Sequence, residues 1–323
     1  MSVQIIYLIL SFIFTTILGR LIIPLLKRLK VGQSEREDGP RSHLKKQGTP
    51  TMGGIMMMLT IIVFTAIACL INPEPEFIKP IILIALASLG FGLVGFVDDF
   101  KKVVLHNTEG LNPKLKMLGL LIVASIYTIF LIQYTNLSTE LILPFTDFRL
   151  TLPTWIFIPF TIFVMLSATN AVNLTDGIDG LAASVSAIMI TAFSIIAMKL
   201  GGISVSILGS IVIGSCLGFL VYNFHKAKVM MGDTGSLLLG GVISSMAIYL
   251  QTPIFLIIIA IIPVLETISV ILQVVYFRKT GKRLFRMSPL HHHFELIGWR
   301  ENRVVGIFSL VTMIVSIIGI LAI

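Results

Sequence analysis

The sequence predicts an all-α polytopic membrane protein: a bundle of ten transmembrane helices forming a single domain over residues 1–323. Three observations predict it. Hydrophobic residues make up 56% of the chain and charged residues 12%, where a soluble domain carries about 25% charged residues. Mean hydropathy is +0.99. The apolar residues fall into runs close to the ~20 residues that cross a bilayer as a helix, and no stretch between runs is long enough for a separate domain.

Taken in order, the runs place helices at 5–26, 51–71, 78–97, 117–134, 155–174, 181–198, 205–224, 235–250, 254–277 and 304–323. The first is too long for the apolar core of a signal peptide and has no basic stretch before it, so it reads as a span that stays in place. The eighth is short for a crossing. Between the fourth and fifth, "ILPFTDFRLTLP" reads as a small hairpin. Cys69 and Cys216 lie inside apolar runs without metal or disulfide spacing, and read as buried packing residues.

All but four of the 24 Lys and Arg residues follow odd-numbered helices; the exceptions are Arg20, Lys79, Arg149 and Lys199. The positive-inside rule then puts those loops in the cytoplasm and both termini outside. The sequence pI of 9.6 reflects this anchoring bias. No base-stacking motif or basic reading helix points to nucleic acid.

The few polar residues cluster at the cytoplasmic ends of the apolar runs, and ionisable groups at membrane depth default to a functional reading. Asp98 and Asp99 end the third helix in "GFGLVGFVDDFKK". Adjacent carboxylates at a helix C-terminus meet the negative end of the dipole and each other, so they call for a cation, either a metal or Lys101 and Lys102. The bland alternative is a solvated cap beside lysines. In "SATNAVNLTDGIDGLA", Asn170, Asn173, Asp176 and Asp179 recur every third residue, which puts the first three near one helical face. The alternative is an interhelical hydrogen-bond network without ligand. Asp233, in "VMMGDTGSLLLGG", stands where it can cap the eighth helix or serve as a hard oxygen ligand that suits magnesium. His291, His292 and His293 lack the partner spacing of a zinc site and fit phosphate binding better. Lys46, in the first cytoplasmic loop, offers a point charge to a diphosphate, while the absence of GxxxxGK[ST] excludes a P-loop ATPase. Glu266 interrupts the ninth run after Pro263. It reads as lining a groove or pairing with a basic group, with no catalytic role.

"DGPRSHLKKQGTPTMGG", "VDDFKK", "NAVNLTDGIDGLA", "MGDTGSLLLGG" and "PLHHHFE" occur in this order across almost the whole chain. This ordered set resembles the phospho-N-acetylmuramoyl-pentapeptide transferases, within the superfamily that joins polyprenyl phosphates to nucleotide-activated amino sugars. The resemblance implies a homodimer in the bacterial cytoplasmic membrane, magnesium dependence and a site facing the cytoplasm. The implied substrates are UDP-MurNAc-pentapeptide and undecaprenyl phosphate. Among the residues, it implies Asp233 as the foremost magnesium ligand, joined by Asp176. Asp98 would orient or deprotonate the lipid phosphate, and Asp99 and Asp176 would hold the metal–diphosphate arrangement. His291, His292 and His293 would bind phosphate or sugar. Lys46, Lys102, Lys114, Asn170, Asn173 and Asp179 would contact substrate, with Asn173 and Asp179 on the nucleotide side. Met230 stands where some members would stack an aromatic on uracil. Direct in-line attack by the lipid phosphate and a covalent intermediate on Asp98 or Asp99 are both open at this point. Two other readings compete: a polyprenyl-phosphate N-acetylhexosamine-1-phosphate transferase, and a transporter. A transporter calls for repeated halves and polar groups at the bilayer midplane, neither of which the sequence displays.

Overall fold

The computed structural model describes residues 2–28, 48–103, 110–135 and 137–323. Its helices are α1 (Ser2–Arg28), α2 (Gly54–Ile71), α3 (Pro75–Val103), α4 (Pro113–Tyr134), α5 (Thr154–Thr175), α6 (Leu181–Lys199), α7 (Ile203–Asn223), α8 (Gly232–Tyr249), α9 (Leu256–Ile259), α10 (Ile261–Thr280), α11 (Leu290–Leu296) and α12 (Glu301–Leu321). The only strands among the described residues, β1 (Glu140–Ile142) and β2 (Arg149–Thr151), form the expected hairpin, with Leu141 opposite Leu150.

Nine helices of the described residues are long and apolar enough to cross a membrane: α1 to α7, α10 and α12. The eighth expected span, α8, is an 18-residue helix outside that set. Its composition follows from its place. Every residue from Thr234 to Ile248 is buried, so α8 runs through the centre of the bundle and shows lipid almost nothing. A helix so enclosed needs small residues for close neighbours, and its glycines and serines supply them.

The contacts of α8 are correspondingly tight. It packs chiefly on α3 and α5. A Cβ at Gly95 of α3 would stand 2.1 Å from the Asp233 carbonyl oxygen, and one at Gly54 of α2 would stand 2.2 Å from the Gly235 nitrogen. These glycines let three helix backbones meet where α8 begins. The turn before α8 is also tied to the entry of α2, because Gly53 N–H donates to the Met230 carbonyl at 2.9 Å and Met230 N–H to the Pro50 carbonyl at 2.7 Å. Many buried hydroxyls donate within their own helices, as where Ser88 donates to the Ile84 carbonyl and Ser244 to that of Gly240, at 2.7 and 2.8 Å.

Three expectations change. The ninth run is not one helix: it breaks at Ala260, between α9 and α10. Pro263 has no N–H to give to the carbonyl four residues back, and its ring crowds that position, so the chain restarts there. The third helix continues past 97 to Val103, which places Asp98 and Asp99 inside its last turns. Cys216 is buried as expected, but Cys69 is only half-buried. On α10, Leu265, Ile268, Ile271 and Leu272 are exposed while Glu266 and Ser269 are buried. Its polar stripe therefore faces the protein.

Candidate active site

Four chain segments meet at one end of the bundle: the ends of α3 and α5 and the starts of α4 and α8. Each brings a charge. Asp98 and Asp99 come from α3, Lys116 from the first turn of α4, Asp176 from the residue that ends α5, and Asp233 from the first turn of α8. The glycine contacts between α3 and α8 make this possible, because Gly95 lies one turn before Asp99.

Asp98 and Asp99 are both buried, yet they do different things. Both oxygens of Asp99 serve the N-terminus of α8. Oδ1 accepts the Asp233 N–H at 3.1 Å, and Oδ2 accepts the Thr234 N–H at 2.8 Å and its hydroxyl at 2.6 Å. The positive end of the helix dipole favours an anion there. Asp98 instead faces the lysines: Lys102 Nζ lies 2.6 Å from its Oδ2 and Lys116 Nζ 3.8 Å, and Oδ1 accepts the Leu111 N–H at 2.7 Å. Gly110, in the left-handed region at φ +67, leaves room for that contact, since a Cβ there would stand 2.8 Å from Asp98 Oδ1. Asp233 joins the two sides. Its Oδ2 receives Lys116 at 2.7 Å and Lys102 at 3.0 Å, and its Oδ1 receives the Asn173 amide at 2.7 Å. Asn173 also donates to Ser236 Oγ at 2.8 Å.

One oxygen from each of Asp98, Asp99 and Asp233 lies within 4.8 Å of the others. Asp176 stands beside them and accepts a hydrogen bond from the Gly232 N–H. Lost solvation, and then the charges of Asp233, Asp99 and Asp179, push its carboxyl up to about 8. Although part of its surface remains open, its surroundings are almost wholly protein. Four carboxyl groups thus face two ammonium groups. The donor set is all hard oxygen, and a bound cation would offset the crowding of acids that raises Asp176, so the residues fit a divalent magnesium ion.

The remaining expected residues are placed as follows. Lys46 lies outside the described residues. The Lys114 side chain is exposed, while its backbone N–H is capped by Asn112 Oδ1 at 2.9 Å; the α4 lysine in the site is Lys116, two residues on. Asn170 turns its amide onto its own helix, donating to the Leu166 carbonyl at 2.7 Å. Asp179 belongs to a neighbouring cluster, where it accepts the Ala227 N–H at 3.0 Å and lies 3.3 Å from His225 Nδ1, with Glu301 of α12 close by. Met230 is buried, next to the turn that opens α8.

The three histidines take different polar partners, although the His291 and His292 rings pack edge to face with centroids 4.1 Å apart. His291 is fully buried, with Nδ1 3.1 Å from Glu266 Oε1. His292 lies 2.9 Å from Glu295 through its Nδ1, and His293 Nδ1 accepts the Arg286 N–H at 3.2 Å. His291 reaches the turn after α5, where its Nε2 packs against Gly177.

Sequence reasoning missed Lys116 as a member of this network; it offered Thr234 and Ser236 only as caps of the eighth helix, and it allowed Glu266 a basic partner without naming His291. Lys116 carried one readable signal: two lysines in the first turn of a helix oppose the dipole, and so call for nearby acids.

An integral-membrane bundle that gathers carboxylates, an amide and lysines at one end has the groups that a membrane transferase acting on phosphorylated substrates requires. The description "Glycosyl transferase family 4" matches residues 81–251, which span α3 to α8 and hence the core of the site. Three relatives carry the name phospho-N-acetylmuramoyl-pentapeptide-transferase. That of Halalkalibacterium halodurans is 48% identical over 97% of this chain and 95% of its own length. That of Acetivibrio thermocellus is 45% identical over 97% and 93%. That of Bacillus subtilis is 46% identical over 96% and 94%. The chain belongs to the phospho-N-acetylmuramoyl-pentapeptide transferase family.

Proposed function

We propose that the protein transfers phospho-MurNAc-pentapeptide from UDP-MurNAc-pentapeptide to undecaprenyl phosphate. The products are undecaprenyl-diphospho-MurNAc-pentapeptide (lipid I) and UMP. The observation that carries this reading is the junction of Asp98, Asp99, Asp233, Lys102 and Lys116 at one end of a membrane bundle. A phosphorylated lipid arriving from the bilayer and a nucleotide sugar arriving from water meet at such an end. In this reading α8 is the tenth crossing, the termini lie outside the bacterial cytoplasmic membrane, the site faces the cytoplasm, and two copies form a dimer.

An oxygen of the lipid phosphate attacks the phosphorus that carries the sugar. A new P–O–P linkage forms, the bond to the bridging oxygen breaks, and UMP leaves with that oxygen. Lys102 and Lys116, which hold Asp98 and Asp233 together, swing their charge toward the incoming phosphates. Asp98 orients the attacking phosphate and takes its remaining proton where one is present; a phosphate's second pKa of about 6 keeps that duty light. Asn173 fixes the rotamer of Asp233 through Oδ1. Asp233, with Asp176 and Asp98 beside it, would hold magnesium, which neutralises diphosphate charge when bound. His292 and His293 contact phosphate or sugar. The hydrogen bonds of Asp99 favour direct attack over a covalent intermediate on that residue, because both of its oxygens are engaged by α8.

Release of UMP from detergent-purified protein tests this. The assay supplies UDP-MurNAc-pentapeptide, undecaprenyl phosphate and magnesium, with Asp233→Ala alongside. Release that needs both substrates and vanishes in the variant is the expected result. Release without the lipid would overturn direct attack. Activity with UDP-GlcNAc in place of the muramoyl donor would overturn the donor assignment.

A further inference from the structure

Glu266 lies within the membrane-crossing part of α10, six residues beyond the break at Ala260, and is fully buried. A carboxylate at that depth needs hydrogen-bond donors. One oxygen receives two donors from a single residue: the His291 backbone N–H lies 3.2 Å from Glu266 Oε1, and His291 Nδ1 lies 3.1 Å from it, while Oε2 has no partner among the described residues. Glu266 thus caps the start of α11 and grips the first histidine ring. With Nδ1 as the donor, the ring can turn neither end for end nor away from α10.

The far edge of that ring meets the turn that follows α5. A Cβ built at Gly177 would stand 2.0 Å from His291 Nε2, 2.7 Å from Cε1 and 3.0 Å from Cδ2. Gly177 does not occupy the left-handed backbone region, so the glycine is required for space and not for conformation. His291 fills that space. Its Nε2 is buried without a hydrogen-bond partner, so it touches the chain by packing. The residue just before Gly177 is Asp176, whose carboxyl lies within the charge of Asp233 and Asp99.

We propose that Glu266 and His291 form a buried strut that sets the Asp176–Gly177 turn, making Glu266 a positioning residue for the transfer reaction. The role of His291 is then to hold the backbone under Asp176, unlike the phosphate contact assigned to His292 and His293. The inference rests on the function proposed above for its activity readout. It does not rest on it for its geometry.

Two measurements test it. Glu266→Ala leaves Nδ1 without an acceptor. It lowers kcat by about 10- to 100-fold, the usual cost of losing an outer partner of a site residue, while KM for both substrates stays near wild type. Glu266→Gln recovers most of kcat, because its carbonyl accepts the same N–H. Gly177→Ala, which drives a methyl into Nε2, lowers kcat to a similar degree. The double variant Glu266→Ala/Gly177→Ala is no worse than the poorer single one, since both act through one ring. Wild-type kcat in Glu266→Ala, or additive losses in the double variant, would overturn the strut. Independently of activity, solid-state NMR of 15N-histidine-labelled protein in liposomes reads the His291 ring, assigned with His291→Ala. Nδ1 carries a proton in wild type and Glu266→Gln, and the resonance shifts in Glu266→Ala; an unprotonated Nδ1 in wild type would refute the strut. Failure of the wild type to use the muramoyl donor, with the NMR result as expected, would sink the functional reading and leave the strut standing.

Discussion

Asp98 and Asp99 are neighbours in sequence and divide their labour by what they touch. Asp99 spends both oxygens on three donors at the start of α8, so its loss is first a loss of structure. Asp99→Ala should lower stability by about 2 kcal/mol, the cost of a lost cap with charged hydrogen bonds. Thermal unfolding in detergent checks this, and an unchanged midpoint would contradict the capping role. Lys116 and Lys114 make a second contrast. Lys116 reaches Asp233 at 2.7 Å, whereas the Lys114 side chain is exposed. Lys116→Ala should reduce turnover by about 100-fold, the scale of removing one donor from developing charge, and Lys114→Ala should leave it nearly intact. Steady-state UMP release by the two variants separates them, and equal losses would remove the distinction.

At the scale of elements, the site depends on how closely α3 approaches α8. Gly95 has the Asp233 carbonyl oxygen where its Cβ would be. Gly95→Ala therefore forces the helices apart or distorts the first turn of α8. It should cost about 1–3 kcal/mol of stability, as overpacking does, and activity should fall with it because Asp98 and Asp233 separate. Unfolding and turnover measured on the same preparation test both effects, and an unperturbed variant would mean that the α3–α8 contact is soft. This close approach explains what could be read in advance. Helix positions follow from local hydropathy, and the clustering of Asp98, Asp99, Asn173, Asp176 and Asp233 at run ends is visible without any fold. Partner choice is not local. Nothing in the spacing of "NPKLKM" says which lysine meets an aspartate more than a hundred residues away. Likewise, Asp179 shares the period of Asn173 and Asp176 but is taken by His225 and the start of α12, because α5 ends at Thr175 and the helical period ends with it. The break between α9 and α10 was written in Pro263, yet the unbroken apolar run concealed it.

At the scale of the whole molecule, the bundle places an excess of negative charge where it must receive two phosphorylated substrates. Lys102 and Lys116 face the carboxyl groups of Asp98, Asp99, Asp176 and Asp233, and in the function proposed above a doubly charged cation would hold the Asp176 carboxyl in its charged form. A site of this kind links metal to stability as well as to turnover, because an ion that binds only the folded state stabilises it by mass action. Magnesium at about 100 times its dissociation constant should add about 2.7 kcal/mol to the resistance of the wild type to unfolding. Asp233→Ala, which removes the carboxylate common to both lysines and Asn173, should abolish most of that gain. Chelation should halt UMP release, and added magnesium should restore it. A magnesium-dependent rise in melting temperature that is the same in wild type and Asp233→Ala would place the ion elsewhere. A rise absent from both, with turnover still dependent on magnesium, would mean that the metal arrives with the nucleotide sugar and that the empty enzyme holds its carboxylates by lysine alone.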